Sequence, residues 1–457
     1  MPNFTIVAQN PKTNEIKEFI YNSEKNVITH EGKSVIENEE VKWEAGWNWN
    51  EKNPSTKVHA VNHLKISLGL SCNYSCSYCS QRFIPNAEIS AFKKVNEFLE
   101  KMPTWYKGGT ENDKIEFWGG EPFVYWKALK PLAEGIRKLY PKVEIGMVTN
   151  GTLLDDEKID FLDKLDFGIG LSHDGVGYHI RGADPLEDKN KKEMIMKLYN
   201  RLKPKNKISI NAMLHKDNLS RGDIQEFLVK YFGEDMAIGE GSFIDAYDAG
   251  GLSSSLNTPE IHIQFRRKAL DDIMLNRANN FAVVHDKINN FINGLIRKKP
   301  KVAVTQKCGI DDPRSLTVDL EGNVITCQNV SSVATAPNTK SHKGGSVYDF
   351  DNIKIETIRT WQNRKNCSNC PVLHLCQGSC TFLEGKLWDY SCDNSYSDNI
   401  VFLAVAIWVL TGFLPIYVKG QPHRPDREDI WGIDGLPKMP NHNALDKTKP
   451  TNILNHK

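Results

Sequence analysis

The stretch LKISLGLSCNYSCSYC, Leu64 to Cys79, runs a strand-like apolar segment straight into three thiols, Cys72, Cys76 and Cys79. A disulfide uses two of three thiols, a tetrahedral zinc site wants a fourth ligand, and an iron–sulfur cluster can leave one position open. The spacing alone leaves these three readings standing, so the rest of the chain has to choose.

Downstream, strand candidates recur at Leu64–Leu70, Lys114–Trp118, Val143–Thr149, Phe167–Ser172, Ile208–Leu214 and Met236–Ile244. Between them lie amphipathic stretches such as ISAFKKVNEFLEKM and ALKPLAEGIRKLY, with apolar residues near helical spacing. Strands alternating with helices argue for a parallel sheet. Six such strands fall short of the eight that close a barrel, so an α/β partial (βα)6 barrel of the TIM type is expected. Loops at the carboxyl ends of parallel strands are where these folds build their sites, and the three thiols sit on the first such loop.

The flanking regions read differently. Residues 1–60 are β-rich with turn signals, and they end in a tryptophan passage containing Trp43, Trp47 and Trp49, read as interface packing. Residues 61–250 make the barrel and 251–305 a helical bridge, with Thr258-Pro259-Glu260 opening one helix and Val284–Arg297 forming another. Residues 306–418 hold the other cysteines and a closing helix, and 419–457 form a polar tail in which WGIDGL is a docking candidate.

The chain has 58 basic and 57 acidic residues, a balance that offers no nucleic-acid footprint. The first residues lack the basic-then-apolar pattern of a secretion signal, so the cytoplasm is expected, where ten cysteines serve metals rather than disulfides. Ile400 to Val418 carries no charge, but Thr411-Gly412 and Pro415 interrupt it, which suits a buried helix over Asn399–Leu410 rather than a membrane span.

With these motifs in view, CNYSCSYC resembles the signature of the radical S-adenosylmethionine (SAM) superfamily, with Tyr78 at its aromatic position. The resemblance implies a [4Fe-4S] cluster on Cys72, Cys76 and Cys79 whose open iron chelates SAM. It also implies reductive cleavage of SAM to a 5′-deoxyadenosyl radical that takes a hydrogen atom from substrate. WGGEP matches the family's second motif, which implies SAM contacts from Gly119, Gly120, Glu121 and Pro122. TNGT supplies Asn150, LSHDG supplies Ser172 and Asp174, and HIRG supplies Arg181 as the partner of the SAM carboxylate. His173 stands where relatives often carry an apolar residue, and it reads as structural.

The other seven cysteines resemble the SPASM extension of radical SAM enzymes that modify peptides and proteins. That resemblance implies two auxiliary [4Fe-4S] clusters, an outer one on Cys367, Cys370, Cys376 and Cys392 and an inner one on Cys308, Cys327 and Cys380. Full thiolate ligation of three such clusters needs about eleven cysteines, counting three plus four plus four. The chain has ten, so the inner cluster is expected to lack one, with Asp311, Asp312, water or substrate as the fourth ligand.

Extra clusters suggest that electrons leave the substrate, and oxidative crosslinking of peptide side chains is the expected chemistry, with redox-neutral epimerisation the alternative. A peptide or protein substrate and a low-potential donor of the flavodoxin or ferredoxin type are the expected partners. Gln328, directly after Cys327, replaces the aspartate that sulfatase-maturing relatives use as a base. Candidate bases here are Asp245 and Asp248, after the sixth strand, and His215, after the fifth.

Overall fold

Alternating apolar residues in NFTIVAQ and IKEFIYN fold as an antiparallel meander, β1 (Asn3–Gln9), β2 (Ile16–Asn22), β3 (Val27–His30) and the short β4 (Lys33–Ser34). The computed structural model describes residues 3–81, 91–243, 245–248, 250–336, 339–422 and 424–438. Ile89-Ser90 of the first helix pattern, Ile244 of the sixth strand candidate and residues 439–457 of the tail lie outside that set.

The barrel region alternates as its pattern requires. Its strands are β5 (His63–Ser67), β6 (Lys114–Trp118), β7 (Glu144–Thr149), β8 (Phe167–Ser172), β9 (Ile208–Asn211) and β10 (Ile238–Glu240). The helices between them are α1 (Val95–Trp105), α2 (Trp126–Leu139), α3 (Asp156–Lys164), α4 (Lys189–Leu202) and α5 (Arg221–Phe232). All six strands pair in parallel and in sequence order. Ile115, Phe117, Ile145, Phe167 and Ile210 are buried in the core. The last two strands are shorter than their apolar runs, because the chain leaves the ladder after Asn211 and Glu240 and retains only a bridge between Leu214 and Phe243.

Two helices follow, α6 (Pro259–Met274) and α7 (Ala282–Ile296). Thr258 caps α6 by accepting the Ile261 N–H at 3.4 Å, with Pro259 at the first helical position. The cysteine-rich region then returns to the sheet. Strand β11 (Ser315–Asp319) pairs in parallel with β5, and β12 (Asn323–Ile325) and β13 (Lys343–Ser346) extend that edge antiparallel. One nine-stranded sheet therefore carries both cysteine regions.

After the one-turn α8 (Leu373–Cys376) comes α9 (Gly385–Thr411), 27 residues long. The sequence pattern predicts only Asn399–Leu410, because the first four turns are polar and carry no apolar stripe; they pack against the cysteine region instead. From Tyr396 to Ile407 every residue of α9 is buried, which explains why Asp398 is the one charged residue there. Gly412, at φ 77°, ends the helix in the left-handed conformation that favours glycine, its N–H donating to the Trp408 carbonyl. Among the described residues no helix is long and apolar enough to cross a membrane.

The start of the polar tail is docked, as the WGIDGL stretch suggests, and a strand precedes it. Strand β14 (Leu414–Lys419) pairs antiparallel with β1 and completes the N-terminal sheet. Ile430 and Trp431 are fully buried, and the Trp431 indole N–H donates to the Pro415 carbonyl at 2.9 Å. The tryptophan passage acts as a strap: Trp43 donates to the Arg297 carbonyl and Trp49 to the Asp311 carbonyl.

Acid lability is built into the cysteine-rich region. His342 is buried edge-on against Phe382, and burial pulls its pKa from 6.5 to about 4. The folded state thus prefers neutral His342, so this stabilisation is present above pH 6.5 and is lost as pH falls toward 4. Between pH 7 and pH 5 the loss is about 2 kcal/mol. Urea titrations at both pH values are expected to show it, and His342→Leu should flatten the difference by that amount.

Candidate active site

The end of β5 and the end of β6 approach so closely that side chains are excluded between them. A Cβ on Gly119 would stand 2.7 Å from the Gly69 carbonyl oxygen, and one on Gly120 would stand 2.2 Å from that of Ser71. Backbone hydrogen bonds from Gly120 to Gly69 and from Glu121 to Ser71 hold this contact. The two glycines are thus required by the thiol loop's own backbone, in addition to any ligand.

Glu121 is 1% exposed and anchors the neighbouring loop. Its carboxylate accepts the Phe123 N–H (3.1 Å), the Thr149 hydroxyl (2.8 Å) and the Asn150 N–H (2.7 Å). Burial pushes its carboxyl above the usual range, and these three donors pull against it. Pro122 opens the short turn that Glu121 caps. Asn150 in turn donates to Asn73 at 2.9 Å and stands 4.0 Å from the Cys72 sulfur, which orients the thiol loop.

The opposite wall is a buried charge network. Asp174, fully buried, accepts from the Tyr78 hydroxyl (2.7 Å), Arg181 Nη1 (3.2 Å) and the Met213 N–H (2.9 Å). Arg181 Nη1 also donates to the Tyr78 oxygen at 2.8 Å. Asp174 thus sits behind the wall while Tyr78, Ser172 and Arg181 line the cavity. His173 accepts from the Gly175 N–H through Nδ1, is held by Asp184 through Nε2 at 3.0 Å, and stacks on Tyr178, a structural role.

All three thiols, with Gly119, Gly120, Glu121, Asn150, Ser172 and Arg181, surround a cavity of about 440 Å³. No group of three or more His, Cys, Asp or Glu among the described residues is gathered closely enough to hold one metal ion directly, yet these thiols share one wall. Two buried donors, Arg181 Nε and Trp118 Nε1, have no hydrogen-bond partner among the described residues. Both residues line the cavity, so an anionic ligand such as an amino-acid carboxylate fits the wall.

The other cysteines fall into two places, with the same membership as the expected sets. Cys367, Cys370, Cys376 and Cys392 line one cavity, beside Arg427, whose guanidinium stands 3.9 Å from the Cys392 sulfur. Arg427 belongs to the polar tail, where no sequence signal marks it. Cys308, Cys327 and Cys380 line a second cavity of about 420 Å³. The candidate fourth ligands do not line it. Asp311 is 1% exposed and accepts the Gln306 N–H, and Asp312 is held by Arg314.

The three candidate bases separate. Asp245 lines the second thiol cavity and accepts the Ser391 hydroxyl at 2.5 Å. Asp248 accepts the Gly251 N–H at 2.7 Å and is absent from that lining. His215 is buried between the Gly177 carbonyl and the Asp217 N–H, and burial lowers its pKa. Sequence reasoning missed Tyr125, whose hydroxyl accepts the Ser71 N–H at 2.8 Å and so fixes the loop before Cys72.

Residues 66–228 match the family model described as the Radical SAM superfamily. Over those residues the chain carries a radical SAM domain, and the protein is an enzyme. The radical SAM cyclopropyl synthase TigE of Paramaledivibacter caminithermalis is 23% identical over 422 residues, spanning 82% of this chain and 78% of TigE. The putative peptide biosynthesis protein YydG of Bacillus subtilis is 29% identical over 36% of this chain and 49% of YydG. The structure of anSMEcpe with bound AdoMet superposes with a TM-score of 0.53 at 19% identity, covering 76% of this chain and 99% of that one. That likeness establishes the shared fold. A radical SAM domain implies a [4Fe-4S] cluster and SAM, and the thiol cavity with its unpartnered donors fits both.

Proposed function

We propose that this enzyme oxidatively modifies a peptide, joining side chains by a new bond with loss of two hydrogens. One observation carries the reading. The SAM-side cavity and the Cys308–Cys327–Cys380 cavity share Trp118, Val148, Ser172, Arg181, Met213 and Asn329 as walls, so they adjoin across those residues, and this reading takes them together as one chamber. Tyr78, Ser172, Arg181 and the thiols at one end and Asp245 at the other are the groups this reading uses.

When bound, the cluster and SAM supply one-electron cleavage of a sulfonium, giving methionine and a primary carbon radical that removes a hydrogen atom. The protein's own part is placement. Arg181 Nε is the donor for the SAM carboxylate, and the Gly119-Gly120 turn keeps the thiol loop fixed beside it. A second hydrogen must leave the substrate as a proton and an electron, and an auxiliary cluster held by the later thiols would take up that electron. Asp245 is the base on the chamber wall, oriented by the Ser391 hydroxyl that donates to it. Gln328 accepts from Lys65 at 3.3 Å and has no basic group, which argues against formylglycine-type chemistry.

The seven remaining thiols are read as holding two auxiliary [4Fe-4S] clusters in a SPASM-type region over 306–418, behind the barrel of 61–250. Asp311 and Asp312 do not line the inner cavity, which favours water or a substrate atom over either aspartate as its fourth ligand. None of the ten cysteines is joined in a disulfide, and this reading places the enzyme in a reducing compartment, the cytoplasm, with an external flavodoxin or ferredoxin as donor. The peptide substrate draws support from YydG, and bond formation from TigE, since ring closure on a saturated side chain also removes two hydrogens.

Anaerobic, iron-reconstituted protein incubated with reductant, SAM and candidate precursor peptides tests this. A product lighter by two hydrogens, with one 5′-deoxyadenosine released per modification, is expected. An unchanged mass with inverted stereochemistry would replace crosslinking by epimerisation.

A further inference from the structure

Beyond the chamber lies a second, differently charged space. A cavity of about 580 Å³ opens between α7, the tryptophan strap and the α8 turn, larger than the thiol cavity beside SAM. Four cations line it, Lys287, Arg297, Lys299 and Lys307, against one carboxylate, Asp286. In a chain with 58 basic and 57 acidic residues this is a local concentration of one sign. Glu39 offsets it weakly, 4.0 Å from Arg297 Nε at the rim.

The cations sit at graded depth. Arg297 and Lys307 are exposed, whereas Lys287 and Lys299 are half-buried. Lys299 lies over the Trp43 ring at 5.6 Å, and Lys287 Nζ donates to Asn399 Oδ1 at 3.0 Å and to the Leu375 carbonyl. Burial lowers the pKa of Lys287 to about 8, so it remains largely charged at neutral pH.

Ser242 and Lys307 line both this cavity and the thiol chamber, so the two adjoin at those residues. A concave space leading inward suits an extended chain passing to the reaction centre; a folded redox protein would dock on a convex or flat face. We propose that this vestibule binds an acidic segment of the substrate peptide, its Asp or Glu carboxylates pairing with Lys287, Lys299 and Lys307 while the adjoining residues reach the chamber. The inference rests on the peptide-modifying reading and names the class of peptide: one with carboxylates flanking the modified site.

The test is fluorescence anisotropy with iron-reconstituted full-length enzyme and a fluorescein-labelled peptide containing six glutamates. The glutamine counterpart serves as control. Binding at least ten times tighter for glutamate is expected, weakening as salt rises. Lys299→Glu/Lys307→Glu should lose at least tenfold in affinity, and Lys299→Arg/Lys307→Arg should keep it, with iron content and melting temperature reporting folding. Equal binding of the glutamate and glutamine peptides overturns the proposal. So does unchanged affinity in the charge-reversed protein, or a loss confined to electron uptake from flavodoxin, which would make the vestibule a donor site. Tight, charge-dependent glutamate binding by an enzyme that leaves every peptide's mass and stereochemistry unchanged would sustain the vestibule and sink the peptide-modifying reading.

Discussion

Arg181→Leu is expected to abolish SAM binding and to lower unfolding free energy by about 3–5 kcal/mol, the cost of breaking a buried ion pair. Arg181 is 9% exposed and Asp174 fully buried, so leucine would leave an uncompensated carboxylate beneath the cavity. The Tyr78 hydroxyl would lose its donor partner at the same time. Asp174→Asn in the Arg181→Leu background should recover much of the stability, because the stranded charge is gone, but none of the SAM affinity. Denaturant midpoints and a SAM binding isotherm read the two effects separately. A single variant that binds SAM within twofold of the parent would refute the carboxylate role of Arg181 Nε.

The second large effect lies far from SAM. Arg221, at the start of α5, pairs with Asp398 of α9 at 2.7 Å, and both are buried. The same guanidinium donates to the Gly241 carbonyl and lies over the Phe402 ring. Arg221→Met should cost about 3–5 kcal/mol, since Asp398 is left buried and unpaired. Arg221→Met/Asp398→Leu should cost clearly less than the sum of the two single changes, because it strands neither charge. Helix α9 carries Cys392, so the single variant should also hold less iron after reconstitution. Additive losses in the cycle would show that the pair is not coupled.

Much of the site was legible in the chain because its chemistry is local. CNYSCSYC and WGGEP place donors within a few residues of a strand end, and six strand–helix alternations fix which end that is. The grouping of the seven later thiols was legible too, although only through family resemblance. Position behind the wall was not legible. Asp174 and Ser172 are two residues apart, yet one is buried under Arg181 and the other faces the cavity. The three candidate bases likewise looked equivalent, and only packing put Asp245 on the chamber while His215 was committed to backbone partners.

By itself the sequence determined the parallel strands of the barrel, because periodicity encodes them. The open iron site and the use of SAM are what the resemblance of CNYSCSYC and WGGEP to the radical SAM family implies. Tertiary structure alone decided what joins distant segments. Strand β11 lies beside β5, β14 closes the N-terminal sheet, and Arg427 from the tail reaches Cys392. The physical reason is that these contacts are set by edge pairing and by burial of polar groups against partners far along the chain. Neither leaves a periodic mark in the residues that take part.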